Sequence, residues 1–230
     1  MIRRSFLAPL IVLSLLTPAT LGAEAPFGVP ADPEAAYTAT ITARSEKHVG
    51  ALKLDDPAKA ARVRDTIVKQ YRALRDLHDA RDAKLKDLPK GDAAKSQADE
   101  IKAQSEAALK KRHEEFLAEL SKELNDAQVE TIKDEMTYNV VKITYDGFLD
   151  LIPKLTEAQK AYILAQLKEA REIAMDKGSS QEKHGVFGKY KGRINNYLSK
   201  EGYDLKQLSN ERNARLKARP QRDASTQSAK

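Results

Sequence analysis

The sequence predicts an all-α fold, a helical bundle with one long helical hairpin. Apolar residues recur at helical rather than alternating spacing from Ala31 onward, and the segments between turns are rich in Ala, Lys, Glu and Leu. The starts of those segments carry helix-capping residues.

The chain of 230 residues opens on "MIRRSFLAPLIVLSLLTPATLGAEA". Arg3 and Arg4 form a basic start, Phe6 to Leu16 an apolar stretch, and Gly22 and Ala23 offer small residues for cleavage. That is the layout of a secretory signal peptide over residues 1–23, too short to span a membrane. An exported protein is expected, in the periplasm or outside the cell, with no transmembrane span. The chain has no cysteine. This excludes disulfides, a lipid-modified cysteine, thiol nucleophiles, zinc–thiolate sites and iron–sulfur clusters.

Residues 24–208 read as a single helical domain. Pro33 and Glu34 open a first helix with Tyr37, Ile41, His48, Val49 and Leu52 along one stripe. Asp56-Pro57 is an N-cap followed by proline at the first helical position, and the next helix carries Val63, Ile67, Tyr71, Leu74 and His78 on one side. After the turn "LPKGD", a third helix runs through Ile101, Phe116 and Leu120, so that 57–123 forms the hairpin with a polar tip. "ELNDAQVETI" and "KLTEAQKAYI" then repeat one pattern, in which Asn125 with Gln128 and Thr156 with Gln159 fit capping boxes. Between the copies, residues 137–146 are β-branched and aromatic; a lone strand would have no partner, so the segment reads as helical or irregular, with a short extended stretch left open. The helix from Glu157 to Asp176 is expected to end on Gly178 as its cap, and "SSQE" (Ser179 to Glu182) offers another capping box.

Charge argues against nucleic acid as a partner. The net charge is +6, but the leader holds two unbalanced arginines, and residues 209–230 hold six basic and two acidic residues. The body between is formally neutral, and 209–230 reads as a disordered basic tail.

The most informative stretch is "HGVFGKYKGRINNYL" (His184 to Leu198). If it is helical, Phe187, Tyr190, Ile194 and Tyr197 share one side, while Gly185, Gly188 and Gly192 cluster opposite. Each glycine costs about 0.8–1.0 kcal/mol in a helix interior relative to alanine, so something should offset roughly 2–3 kcal/mol. Three readings compete: close packing on another helix or a loop up to about Lys189, a phosphate held by bare backbone and basic side chains, or a sugar. A pyranose needs a flat apolar face to cover and donors around its hydroxyl rim, which aromatic rings with Lys, Arg and Asn supply.

"KHGVFGKYKGRINNYLSKEGYDL", with "KDEMTYNVVKITYDGFLDLIPKLTEAQK" and "AARVRDTIVKQYRALRDLHDARDAKL", resembles the exported bacterial proteins of domain-of-unknown-function family 3826. The resemblance covers about Tyr37 to Leu205 and implies a sugar-binding role, with no established mechanism. The expected glycan-binding residues are accordingly His184, Phe187, Lys189, Tyr190, Lys191, Arg193, Asn196 and Tyr197, with Tyr138, Asn139 and Asp146 as secondary candidates.

No catalytic residue, metal ligand or cofactor is assigned. The four histidines show no ligand spacing. In "LHDARD", His78 and Asp82 stand one turn apart, a pairing that suits a salt-bridged face better than a general base. The rival functional reading is a periplasmic holdase chaperone, because "LTEAQ" is similar to the paired Leu-Thr-x-x-Gln motifs of such proteins, although "LNDAQ" departs from them.

Overall fold

The structure is a computed structural model that describes residues 32–89 and 91–227; the expected signal peptide lies outside them. Among the described residues there are eight α-helices and no strand: α1 (Pro33–Gly50), α2 (Pro57–Lys86), α3 (Asp92–Leu120), α4 (Asp126–Met136), α5 (Val140–Leu151), α6 (Glu157–Met175), α7 (Ser180–Lys200) and α8 (Leu205–Gln227). No described helix is long and apolar enough to cross a membrane.

Local chemistry sets most helix starts. Asp32 and Asp56 accept from the backbone N–H two residues on, each ahead of a proline in the first turn. Asn125, Thr156 and Ser179 close full capping boxes with Gln128, Gln159 and Glu182. The repeated Leu-Asn/Thr-x-x-Gln element is therefore two helix starts of one design.

Two apolar cores form. The first joins Ile41 of α1, Val63 and Ile67 of α2, Phe116 and Leu120 of α3, and Val129, Ile132 and Met136 of α4. The second joins Phe148 of α5, Ile163 and Leu167 of α6, and Phe187, Ile194 and Leu198 of α7. Helix α4 carries contacts from one to the other by packing on both α1 and α6. Arg171 of α6 pins that contact. Its side chain is buried, and its guanidinium donates to Asp134 at 2.7 Å and to both oxygens of Glu130 at 2.8 Å.

Three expectations are corrected, and the alternative left open at 137–146 resolves to the helical or irregular reading. Residues 137–146 contain no extended stretch; a tight turn at Thr137–Asn139 leads straight into α5. Helix α6 ends at Met175, and Gly178 is not its left-handed cap. Instead, a Cβ at Gly178 would stand 3.2 Å from Cδ2 of His78, so the glycine admits that imidazole. Residues 209–227 are helical as part of α8, where Leu205 and Leu208 pack on the second core and Arg212 and Arg215 bind Asp150. Finally, α7 is helical from Ser180, yet its glycine face packs on nothing: a Cβ at Gly185, Gly188 or Gly192 would meet no atom within 4 Å.

Candidate functional site

Where the two cores diverge beside the α4–α5 and α6–α7 turns, they leave a cleft of about 300 Å³. Helix α1 supplies Tyr37 and Arg44, α2 supplies Tyr71, His78 and Asp79, the α4–α5 turn supplies Tyr138, and the start of α7 supplies Ser180, Glu182 and Lys183. Its size suits a small ligand, at the lower end of the ~300–1,000 Å³ usual for such sites.

The rim is built by an unusual turn. Tyr138 N–H reaches Glu135 O at 3.3 Å and Asn139 N–H reaches Asp134 O at 2.8 Å, the paired bonds of a Schellman termination. That geometry requires a left-handed residue after the helix cap, normally glycine, and here the residue is Tyr138 at φ 59°, followed by Asn139 at φ 56°. Asn139 is at home there and bonds Glu135 through Nδ2 at 2.8 Å. A tyrosine is not. Left-handed non-glycine residues cost about 1–3 kcal/mol and concentrate at functional sites. What the strain secures is a ring 44 % exposed on the cleft rim, stacked on His184 with centroids 5.4 Å apart.

The floor is cationic and aromatic. Lys183 is only 6 % exposed, and its Nζ donates to Met136 O at 3.0 Å. Burial, then the charge of Arg44, pushes its ammonium down to about 8. Lys183 Nζ and Arg44 Cζ lie 5.8 and 5.4 Å from the centre of the Tyr71 ring. Burial pushes the Tyr71 phenol up to about 12, and its hydroxyl meets His48 Nε2 at 3.0 Å. Burial likewise holds His48 down at about 4. His78 places Nε2 at 2.7 Å from Asp176 O, so that nitrogen carries a proton, while its buried Nδ1 has no hydrogen-bond partner among the described residues.

The expected glycan-binding residues divide three ways. Tyr138 lines the cleft and His184 backs it. Phe187 and Tyr190 are 1 % and 3 % exposed in the second core, and Tyr190 donates its hydroxyl to Glu169 at 2.7 Å, so their faces are not open to a ligand. Tyr197 packs on Tyr162 with centroids 4.0 Å apart. Lys189, Lys191, Arg193 and Asn196 stand on the outer face of α7, Asp146 pairs with Lys142 at 2.6 Å on the surface, and Asn139 serves the turn. Asp82 pairs with its neighbour Arg81 rather than with His78.

Sequence reasoning opened its binding segment at Lys183 but passed over Tyr37, Arg44 and Tyr71 as ligand-facing residues. Their signal was the run of polar positions inside helical stripes that otherwise read as core: Ser45 and His48 in α1, and Gln70 and His78 in α2, are all buried. A second groove, of about 410 Å³, lies between α3 and α6. There His113 stands 2.9 Å from Asp176 and 3.3 Å from Glu172, which also meets Lys133 at 3.0 Å, so its charges are spent on one another.

No curated protein matches the chain. A family model described as "Protein of unknown function (DUF3826)" matches residues 38–218, from within α1 to within α8. The chain belongs to that family.

Proposed function

We propose that this is an exported carbohydrate-binding protein whose site is the cleft between α1, α2, the α4–α5 turn and the start of α7. The observation that carries the reading is Tyr138: an exposed ring held at a backbone position where glycine would be unstrained. Tyr138 supplies an exposed ring face, Tyr37 and Tyr71 line the wall with rings that already meet Arg75, Arg44 and Lys183, and Arg44, Ser180 and Lys183 supply donors on the same cleft. This combination suits a pyranose, whose flat carbon face and hydroxyl rim need both. Of the 183–203 segment expected from sequence to hold the sugar, this reading uses Lys183 on the cleft and His184 behind Tyr138.

The test is Tyr138→Gly, which keeps the turn and removes the ring. Wild type should show a thermal shift with one class of mono- or oligosaccharide. Because a ligand at one hundred times its Kd stabilises by about 2.7 kcal/mol, a true binder is visible. The variant should lose that shift while its own melting temperature holds or rises. A wild-type screen that stays flat with millimolar sugars would sink the proposal. The chaperone alternative draws no support from the Gln128 and Gln159 motifs, which serve as capping boxes. Suppression of client aggregation would revive it.

A further inference from the structure

We propose that the cleft selects an acidic sugar, one bearing a carboxylate or sulfate, with the anionic group seated between Lys183 and Arg44. The inference rests on the sugar-binding reading above and concerns which sugars the cleft prefers.

The case begins with what the cations lack. Lys183 is buried with one carbonyl for a partner, although an ammonium has three donors. It has no carboxylate within ion-pair distance among the described residues, and neither does Arg44. The other arginines of the cleft are neutralised: Arg75 pairs with Glu34 at 2.7 Å and Arg81 with Asp82 at 2.8 Å. Lys177 adds a further cation to the lining, and the two cations that approach the same Tyr71 ring are Lys183 and Arg44. A buried cation is ordinarily paired, so Lys183, unpaired and with the exposed Arg44 beside the same ring, is complementary to an anion that the chain does not itself provide.

Acids on the cleft wall do not fill that role. Glu182 accepts from Ser179 N at 2.9 Å to cap α7, Asp82 is held by Arg81, and Asp79 is on the exposed side of α2. The groups that bear on Lys183 are Arg44 and His48 from α1, Tyr71 from α2, the Met136 carbonyl and Tyr138 at the end of α4, and Asp176 at the end of α6. Only Asp176 is negative, and it stands 2.9 Å from His113.

A structural explanation competes, since Lys183 also satisfies a carbonyl at the C-terminus of α4, where a cation is favoured. The two accounts differ in measurable ways. Titration calorimetry would compare glucuronate, galacturonate and glucose 6-sulfate with glucose and galactose. At least one acidic sugar should bind tenfold or more tightly than its neutral parent, and the carboxylate and sulfate arms identify which anion fits. Binding at pH 8.5 should take up a proton from buffer, because the anion favours the charged form of Lys183. Lys183→Met should remove the tenfold preference, lowering affinity for the acidic sugar about tenfold more than for its neutral parent. If Lys183→Met does not fold, Arg44→Gln on the exposed side of α1 decides, by losing or keeping the preference.

Equal affinity for acidic and neutral sugars in wild type overturns this inference while leaving the sugar-binding reading intact. Unchanged selectivity in Arg44→Gln also overturns it. Failure to bind any sugar sinks the broader reading instead, so the two failures are distinguishable.

Discussion

At the scale of the residue, the glycines of α7 make the sharpest contrast between sequence and structure. Their spacing announced that something lies close to the backbone, yet Gly185, Gly188 and Gly192 face open space. Their destabilisation is therefore uncompensated within the chain. Replacing all three with alanine should stabilise the protein by roughly 2–3 kcal/mol, read from urea unfolding, and leave cleft binding unchanged. A destabilised triple variant would show that the glycine backbone is needed by the fold after all. Sequence could place these residues on one helical face but could not say that the face is outermost. The same blindness sent Phe187 and Tyr190 to the ligand, because helical periodicity reports which residues share a side and not what that side meets.

At the scale of the element, helix starts were legible and their ends less so. Capping boxes at Asn125, Thr156 and Ser179 are local chemistry, fixed by residues three apart. The end of α4 is different. Its left-handed residue is a tyrosine, so no glycine marks the stop, and the end of α6 shows the reverse, a glycine kept for the imidazole of His78. The contact between α4 and α6 was likewise invisible, since Glu130, Asp134 and Arg171 are ordinary charged residues in a chain full of them. Arg171→Met would leave those carboxylates without their guanidinium. We expect a loss of about 3 kcal/mol in urea unfolding, the usual penalty for removing one partner of a buried ion pair. A change under 1 kcal/mol would mean that apolar packing alone joins the two helices.

At the scale of the whole molecule, all-α architecture followed from periodicity, whereas division into two cores did not, because it depends on contacts far apart in sequence. The same long-range contacts set how stability responds to pH. Asp176 and Glu172 push His113 up to about 9 from its ordinary 6.5, so its contribution is complete below 6.5 and fades as pH rises through 9. His48 works on the acid side: held down at about 4, it makes stability climb as pH rises from 4 to 6.5. Lys183, lowered from 10.5 to about 8, opposes the His113 loss only above pH 8. Stability should therefore peak near pH 6.5 and fall by about 2 kcal/mol by pH 8, at ~1.36 kcal/mol per unit for one proton. Urea midpoints across that range would check it, and His113→Leu should flatten the alkaline limb. A wild-type profile already flat from 6.5 to 8 would mean the His113 pairs stabilise nothing.

The cleft draws its walls from both cores: Tyr37, Arg44 and Tyr71 belong to helices of the first, and Lys183 to a helix of the second. It is thus a seam as well as a pocket. Whatever occupies it bridges the halves, and by reciprocity the work of parting them is added to the work of release. Residues at the far side of that seam, Arg171 among them, are then determinants of affinity without ever touching the ligand.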